Sequence, residues 1–409
     1  MKHLSSVLIL ILFTQLVLAQ TYKVGDAVSI EWKGKWYPGK ILEVKNSGYK
    51  ISYDGYGEDW YETVTTERLK PAGNSTSTTT NNAQPTNKTV NSSAFATISE
   101  TSYKGVETIW DIDLGSDGKT LACANAYGRL TILNATDLSL IADIKIADNP
   151  ASSACINKDC NLIAISDSEG KIYIYKKSTT GWDLDKTITS YSGAYNMRFS
   201  PVSNDLYIAG APKEDYTKVT IDVYDIAANK VKLNFLKSTN GSHSVSCISL
   251  SKDGSKLAIA IANSKKGIEV YETATGKLAY RIEHKADVST VAFSPDGNSL
   301  VSGGTDKMVT LWNTATKKAV WTSAWNNDYV RGVAFAPNGT TVAACGSGNG
   351  PKIKVYDAAS GKIKAELGTT NAGGNAVCYA ASSTVVYTAL TTYGDIAKVP
   401  IVYMAAIPQ

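Results

Sequence analysis

Residues 287–320 read DVSTVAFSPDGNSLVSGGTDKMVTLWNTATKKAV, and residues 329–367 read YVRGVAFAPNGTTVAACGSGNGPKIKVYDAASGKIKAEL. Both have the same grammar: an alternating strand, an Asp-Gly or Asn-Gly turn, a strand of small residues, a second turn, and a third strand that ends on an aromatic residue. Residues 244–282, SVSCISLSKDGSKLAIAIANSKKGIEVYETATGKLAYRI, and 108–144, TIWDIDLGSDGKTLACANAYGRLTILNATDLSLIADI, repeat it, the latter with Leu in place of the aromatic residue. The period is about 40–45 residues, the length of a four-stranded propeller blade. Weaker copies start near Ser152 and Ala194, and a shortened one runs from Gly374 to Val402. A ring left open would expose strand edges. The strand-like Phe95–Tyr103 is therefore expected to complete the last blade and close seven blades, with six or eight as the alternatives.

The repeats resemble the WD40 family over about three quarters of the chain. In the blade near Arg281, His284, Ser302, Asp306 and Trp312 stand where that family places its hydrogen-bonded structural tetrad. Other blades depart from it, with Tyr224, Tyr271 or Tyr356 in place of Trp312, and His243 lies two residues nearer its strand than His284 does. Exported propellers with SPDG and VYDxxTGK-like repeats are close competitors. What the WD40 resemblance implies is a binding surface at the entrance of the central channel. Aligned on the turns, the residue just inside each innermost strand is Trp110, Ser152, Tyr195, Ser246, Ser289, Arg331 and Asn375. Trp, Tyr and Arg are the residue types enriched in binding hot spots; the alternative is that several merely line the channel.

Working outward, residues 72–93, AGNSTSTTTNNAQPTNKTVNSS, have almost nothing to bury and read as a linker. As a flexible coil it would hold its ends roughly 25 Å apart. Before it, residues 20–71 carry five short alternating strands between Gly and Asn turns, the size of a small SH3-like β-barrel. WYPGKILEV followed by YKISYDGYGEDWYETV resembles the Tudor, Agenet and chromo-barrel group. That resemblance implies an aromatic cage for a methylated cation, on Trp32, Tyr37, Tyr53, Tyr56 and Trp60. The alternative is that some of these rings, Tyr53 above all, fill the barrel core. Residues 1–19 have a charged start, an apolar run and a small residue at Ala19, the pattern of a signal peptide. Residues 94–409 remain for the propeller, so the expected class is all-β: a seven-bladed β-propeller preceded by an SH3-like barrel.

Export removes histone tails as ligands and gives a secreted, periplasmic or cell-envelope location. Hydrophobic residues at 43% and charged residues at 19% are ordinary for a globular chain, and net charge is only +4. Residues 20–71 hold eight basic and eight acidic side chains, so nucleic acid is not an expected partner. A protein, peptide or glycan is expected instead, bound by a monomer with no membrane span, cofactor or metal. The six cysteines read as buried thiols, with a local Cys155–Cys160 bridge as the alternative. No nucleophile elbow, zinc spacing or phosphate loop occurs, and Asp111 with Asp113 reads as solvated or turn-forming. No catalytic residue is assigned; an enzyme with its site in the propeller channel is the alternative.

Overall fold

The computed structural model describes residues 22–32, 35–45, 48–53, 61–71, 108–215, 218–237, 244–262, 267–284, 286–325, 328–347, 350–370, 373–391 and 402–406. The chain forms two compact units, Met1–Val90 and Asn91–Gln409. Their described residues are strands, turns and a single 3-10 turn at Thr66–Arg68. The proposed signal peptide, the linker, Tyr56, Trp60, His243 and Phe95–Tyr103 lie outside the described residues.

In the first unit, β1 (Ala27–Trp32), β2 (Lys35–Lys45), β3 (Gly48–Tyr53), β4 (Glu62–Val64) and β5 (Leu69–Pro71) form one antiparallel sheet in the order β4-β3-β2-β1-β5. Strand alternation turns one face inward. Val28, Ile30, Ile41, Tyr49, Ile51, Tyr53, Val64 and Leu69 make its core. Gly39 is needed where β2 crosses it, since a Cβ there would stand 2.1 Å from the Ser52 carbonyl oxygen.

The second unit is a ring of seven antiparallel sheets. Six have four strands in sequential order, and the seventh shows three among the described residues. The innermost strands are Ile109–Leu114, Ala151–Ile156, Tyr191–Phe199, Ser244–Leu250, Val288–Phe293, Val330–Phe335 and Gly373–Tyr379. Each packs on the next, and the seventh packs on the first, so the ring closes with seven blades. Second strands such as Thr120–Asn125 and Thr341–Gly346 are buried at every residue because both faces meet a neighbouring blade. Outer strands such as Lys277–Ile282 and Ala319–Ala324 stay largely exposed.

The Asp-Gly turns have a shared cause. Gly118, Gly254, Gly297 and Gly339 sit at φ between 64° and 73°, where a Cβ is disfavoured. The preceding acid or amide accepts the next free amides: Asp117 Oδ1 takes Lys119 N at 2.8 Å, and Asn338 Oδ1 takes Thr340 N at 3.0 Å. Hydrogen bonds from Ser251 and Ser255 hold the Asp253 carboxyl down to about 2.

An innermost strand has one unpaired edge, whose N–H groups need acceptors. The preceding blade supplies them from its side chains. Ser153 Oγ accepts Met197 N at 3.1 Å, Asn196 Oδ1 accepts Ile248 N at 3.0 Å, Ser249 Oγ accepts Phe293 N at 3.1 Å and Thr290 Oγ1 accepts Val333 N at 3.3 Å. From blade 1, Asp111 Oδ2 takes Ala154 N at 3.3 Å and Asp113 Oδ2 takes Ile156 N at 2.8 Å. The circuit is completed where Arg331 donates to Asn375 Oδ1 at 2.7 Å and Asn375 Nδ2 donates to the Ile109 carbonyl at 2.9 Å. The Tyr387 hydroxyl donates to the Ala135 carbonyl at 2.9 Å, a second tie between the last blade and the first.

Third and outer strands are tied at one shared register. The facing pairs are Thr131 with Asp143, Asp222 with Asn234, Glu269 with Arg281, Thr310 with Thr322 and Lys354 with Glu366. Arg281 Nε, for example, donates to Glu269 Oε1 at 2.7 Å.

Candidate functional site at the channel mouth

The seven aligned positions share a geometry that strand patterning alone does not show. In each innermost strand the register slips at Trp110, Ser152, Tyr195, Ser246, Ser289, Arg331 or Asn375, and the blade 3 strand slips a second time at Ser192. A bulge leaves its residue unpaired and re-aims the side chain. All seven line a single cavity of about 780 Å³ along the channel. Trp110 and Tyr195 are 42% and 46% exposed, whereas Arg331 and Asn375 are half-buried and bonded to each other. Gly193 makes room for Tyr195, since a Cβ there would lie 2.9 Å from the ring.

Below the rim the structure corrects the sequence reading of Asp111 and Asp113. Neither is in a turn or on the outer surface; both line the channel. Arg198 crosses from blade 3 and donates to Asp111 through NH1 at 3.0 Å and NH2 at 3.3 Å. Ser153 Oγ donates to Asp111 at 2.8 Å, so that carboxylate is saturated. Asp113 is half-buried in the channel wall, where it accepts the Ile156 amide at 2.8 Å but no direct hydrogen bond from Arg198 is described. Burial pushes its carboxyl up to about 6, with Arg198 and the Ile156 amide pulling the other way and Asp111 adding to the rise. The Arg198 guanidinium is held charged by the two aspartates against the opposing effect of burial.

All six cysteines are free thiols, so the Cys155–Cys160 bridge is not formed. Cys160 Sγ instead accepts the Asp117 amide at 3.3 Å. Burial raises the Cys123, Cys155 and Cys378 thiols far from ionisation at neutral pH, which removes them as nucleophiles. Among the described residues no group of three His, Cys, Asp or Glu could hold a metal ion.

The four residues of the structural tetrad meet in blade 5. Trp312 Nε1 donates to Ser302 Oγ at 2.8 Å, the His284 and Trp312 rings are 5.7 Å apart, and His284 Nε2 lies 3.6 Å from Asp306 Oδ2. Ser302 is fully buried. Trp312→Phe keeps a ring but strands that hydroxyl, and it should lower the urea midpoint by an amount equivalent to about 1–3 kcal/mol. A change below 0.5 kcal/mol would show that the bond contributes nothing.

In the first unit the proposed cage divides. Trp32 and Tyr37 are half-buried and meet edge to face at 6.3 Å, and Tyr37 meets Tyr53 at 6.2 Å. Tyr53 is 6% exposed and belongs to the core, so it offers a ligand no open face. Its hydroxyl donates to Glu62 at 2.5 Å, and Arg68 binds the same Glu62 at 2.9 Å. Burial first and Glu62 second push the Tyr53 hydroxyl up to about 12. Trp36, which the sequence reading passed over, is 40% exposed and carries Lys70 Nζ 3.8 Å above its ring. That pair shows a ring of this unit already holding an ammonium group.

Residues 276–313 and 317–357 match the family model for the WD domain, G-beta repeat. Each match runs from one outer strand to the third strand of the following blade. Over 124 residues the chain is 35% identical to the small ribosomal subunit protein RACK1 of Drosophila melanogaster. That stretch is 30% of this chain and 38% of the other, so the chain spans well under half of that relative's length. On the strength of these repeats and of the seven-bladed ring that contains them, the chain is similar to WD-repeat propellers.

Proposed function

We propose that the protein is an exported, non-enzymatic binding scaffold that captures a protein, peptide or glycan ligand at the mouth of the propeller channel. The observation that carries this reading is the set of seven bulges, which directs one side chain from every blade to a common rim. The WD-repeat similarity agrees with it, because such repeats are built for surface recognition rather than for chemistry. Export is supported by residues 1–19 alone. A second, weaker site is proposed on the N-terminal unit, read as a Tudor-like SH3-type barrel, using Trp32 and Tyr37 with Tyr56 and Trp60. The linker would then join two modest affinities into avidity.

The test compares retention of ligand from culture fluid and cell envelope on wild-type protein and on Trp110→Ala/Tyr195→Ala, which removes two exposed rings. The expected result is at least a tenfold loss on the variant with an unchanged melting temperature. Equal retention would reject the rim. Trp32→Ala in the full chain should leave rim-dependent retention within twofold.

One observation favours a second reading: two carboxylates in different environments share the channel. A carboxyl pushed up to about 6 beside one held by an arginine is a pattern of acid–base enzymes. It predicts turnover on a glycan or peptide panel that Asp113→Asn abolishes. The saturation of Asp111 by Arg198, Ser153 and Ala154 favours the scaffold, since it gives that carboxylate a structural task.

A further inference from the structure

The Arg198 guanidinium is only partly used by the cluster it holds together. Its two terminal nitrogens both turn to Asp111, at 3.0 and 3.3 Å, and the first of them also donates to the Met197 carbonyl at 2.7 Å. The remaining edge, made by Nε and the outward hydrogen of the second terminal nitrogen, donates to no described residue. Nε is not one of the enclosed, unpaired side-chain atoms, and 27% of the side chain stays exposed, so this edge opens onto the channel cavity that Arg198 lines. Two parallel N–H groups on one edge of a guanidinium match the two oxygens of a carboxylate.

The rest of that layer is small and uncharged. Three residues past the bulge, the cavity is lined by Asp113 and Arg198 on blades 1 and 3 but by Ser249, Ala292, Ala334 and Cys378 on blades 4 to 7. The bulk of the layer therefore lies on one side of the bore and the free space on the other. One residue further along the strands, Phe199, Leu250, Phe293 and Phe335 line the same cavity. Its volume of about 780 Å³ falls among those of small-molecule sites, which combine a mostly apolar wall with a few fixed polar groups.

We propose that the channel below the rim binds a small monocarboxylic acid, with its carboxylate on the free edge of Arg198 and its apolar body toward Ala292, Ala334 and Phe293. This site goes beyond the macromolecular ligand of the rim and does not rest on it. A phosphate brings more negative charge than one half-used guanidinium beside two aspartates can offset. A neutral amide presents a single acceptor oxygen to the two donors and gains no charge assistance.

Asp113 governs when the site is open. The groups facing it are Asp111, Arg198 and the Cys155 and Cys378 thiols, and burial keeps both thiols neutral. Ionised, Asp113 repels an incoming carboxylate. With its carboxyl pushed up to about 6 it is mostly neutral at pH 5.5, where a free acid that titrates near the ordinary value of about 4 remains ionised. Binding therefore strengthens as pH falls from 7.5 to 5.5.

The experiment titrates the full-length protein calorimetrically with hexanoate and benzoate, and with hexanamide, benzamide and inorganic phosphate as comparisons. The expected result at pH 5.5 is binding of at least one acid, with its amide and phosphate at least tenfold weaker. The same acid should bind at least fivefold more weakly at pH 7.5. Arg198→Lys keeps the charge but not the two-pronged edge, and it should weaken acid binding at least tenfold. Because that change also loosens the tie to Asp111, a second variant reads the opposite sign: Asp113→Asn should bind the acid at least fivefold more tightly than wild type at pH 7.5 and lose the pH dependence, a gain that a damaged fold does not produce. Failure of both acids to bind at pH 5.5, or binding that a folded Arg198→Lys leaves within twofold, would overturn the proposal. Amides or phosphate binding as tightly as the acids would overturn the carboxylate assignment, and an unchanged Asp113→Asn would overturn the part given to Asp113. Each of these outcomes leaves the rim reading untouched, since no rim residue is varied.

Discussion

Asp111→Ala should lower the unfolding free energy of the propeller by about 1–3 kcal/mol, because it removes the buried partner of an ion pair whose Arg198 side chain stays 27% exposed to the channel. The substitution leaves the Arg198 guanidinium facing a channel wall without its two acceptor contacts, and it frees the Ser153 hydroxyl and the Ala154 amide as well. Most of the loss is the stranded charge, so the pair Asp111→Leu with Arg198→Met should be closer to wild type than either single change. Urea unfolding followed by circular dichroism reads the ordering directly. A single-variant loss under 1 kcal/mol, or a double variant worse than both singles, would contradict the place given to this pair.

Asp113→Asn should stabilise the protein at pH 7.5 by up to about 2–3 kcal/mol and leave it unchanged near pH 4. The sign follows from burial, which holds the folded-state carboxyl at about 6, above the ordinary value of an unfolded aspartate. Its contribution is complete below the unfolded value and is lost as pH rises through about 6. Asparagine keeps an acceptor for the Ile156 amide without acquiring charge. Melting temperatures of wild type and variant between pH 4 and 8 should therefore diverge as pH rises, and parallel curves would show that Asp113 is not strained.

Much of this architecture could be read from the chain. The Asp-Gly turns punctuate the repeats at a regular spacing because each needs a left-handed glycine after a side chain that caps free amides. Aligning on those turns also placed the rim residues, since the bulge falls at a constant distance from the turn in each copy. What alignment did not disclose was that these positions are bulges, because a one-residue slip leaves the strand pattern nearly intact.

The ion cluster was not legible for a different reason. Arg198 and Asp111 are 87 residues apart on blades that are not neighbours, and only a closed channel brings them together. A signal was nevertheless present. At the position three residues beyond the bulge, the seven copies carry Asp113, Cys155, Arg198, Ser249, Ala292, Ala334 and Cys378, so two opposite charges stand out among small residues. The cross-strand ties were visible in the same way, as polar pairs twelve residues apart such as Glu269 with Arg281. In the first unit, aromatic content could not separate ligand-facing from core rings: Tyr53 has the alternation of an inward residue, and its hydroxyl is satisfied by Glu62 rather than by solvent.

The most direct test places a photo-crosslinking amino acid at each rim position in turn, and as controls at Lys119, Lys158 and Lys252 on the turns at the opposite end of the strands. Exposed to culture fluid and envelope extract, the rim variants should yield an adduct of one common mass, and the turn variants none. The same adduct from the turn positions, or adducts from neither end, would contradict a binding surface built on the channel mouth.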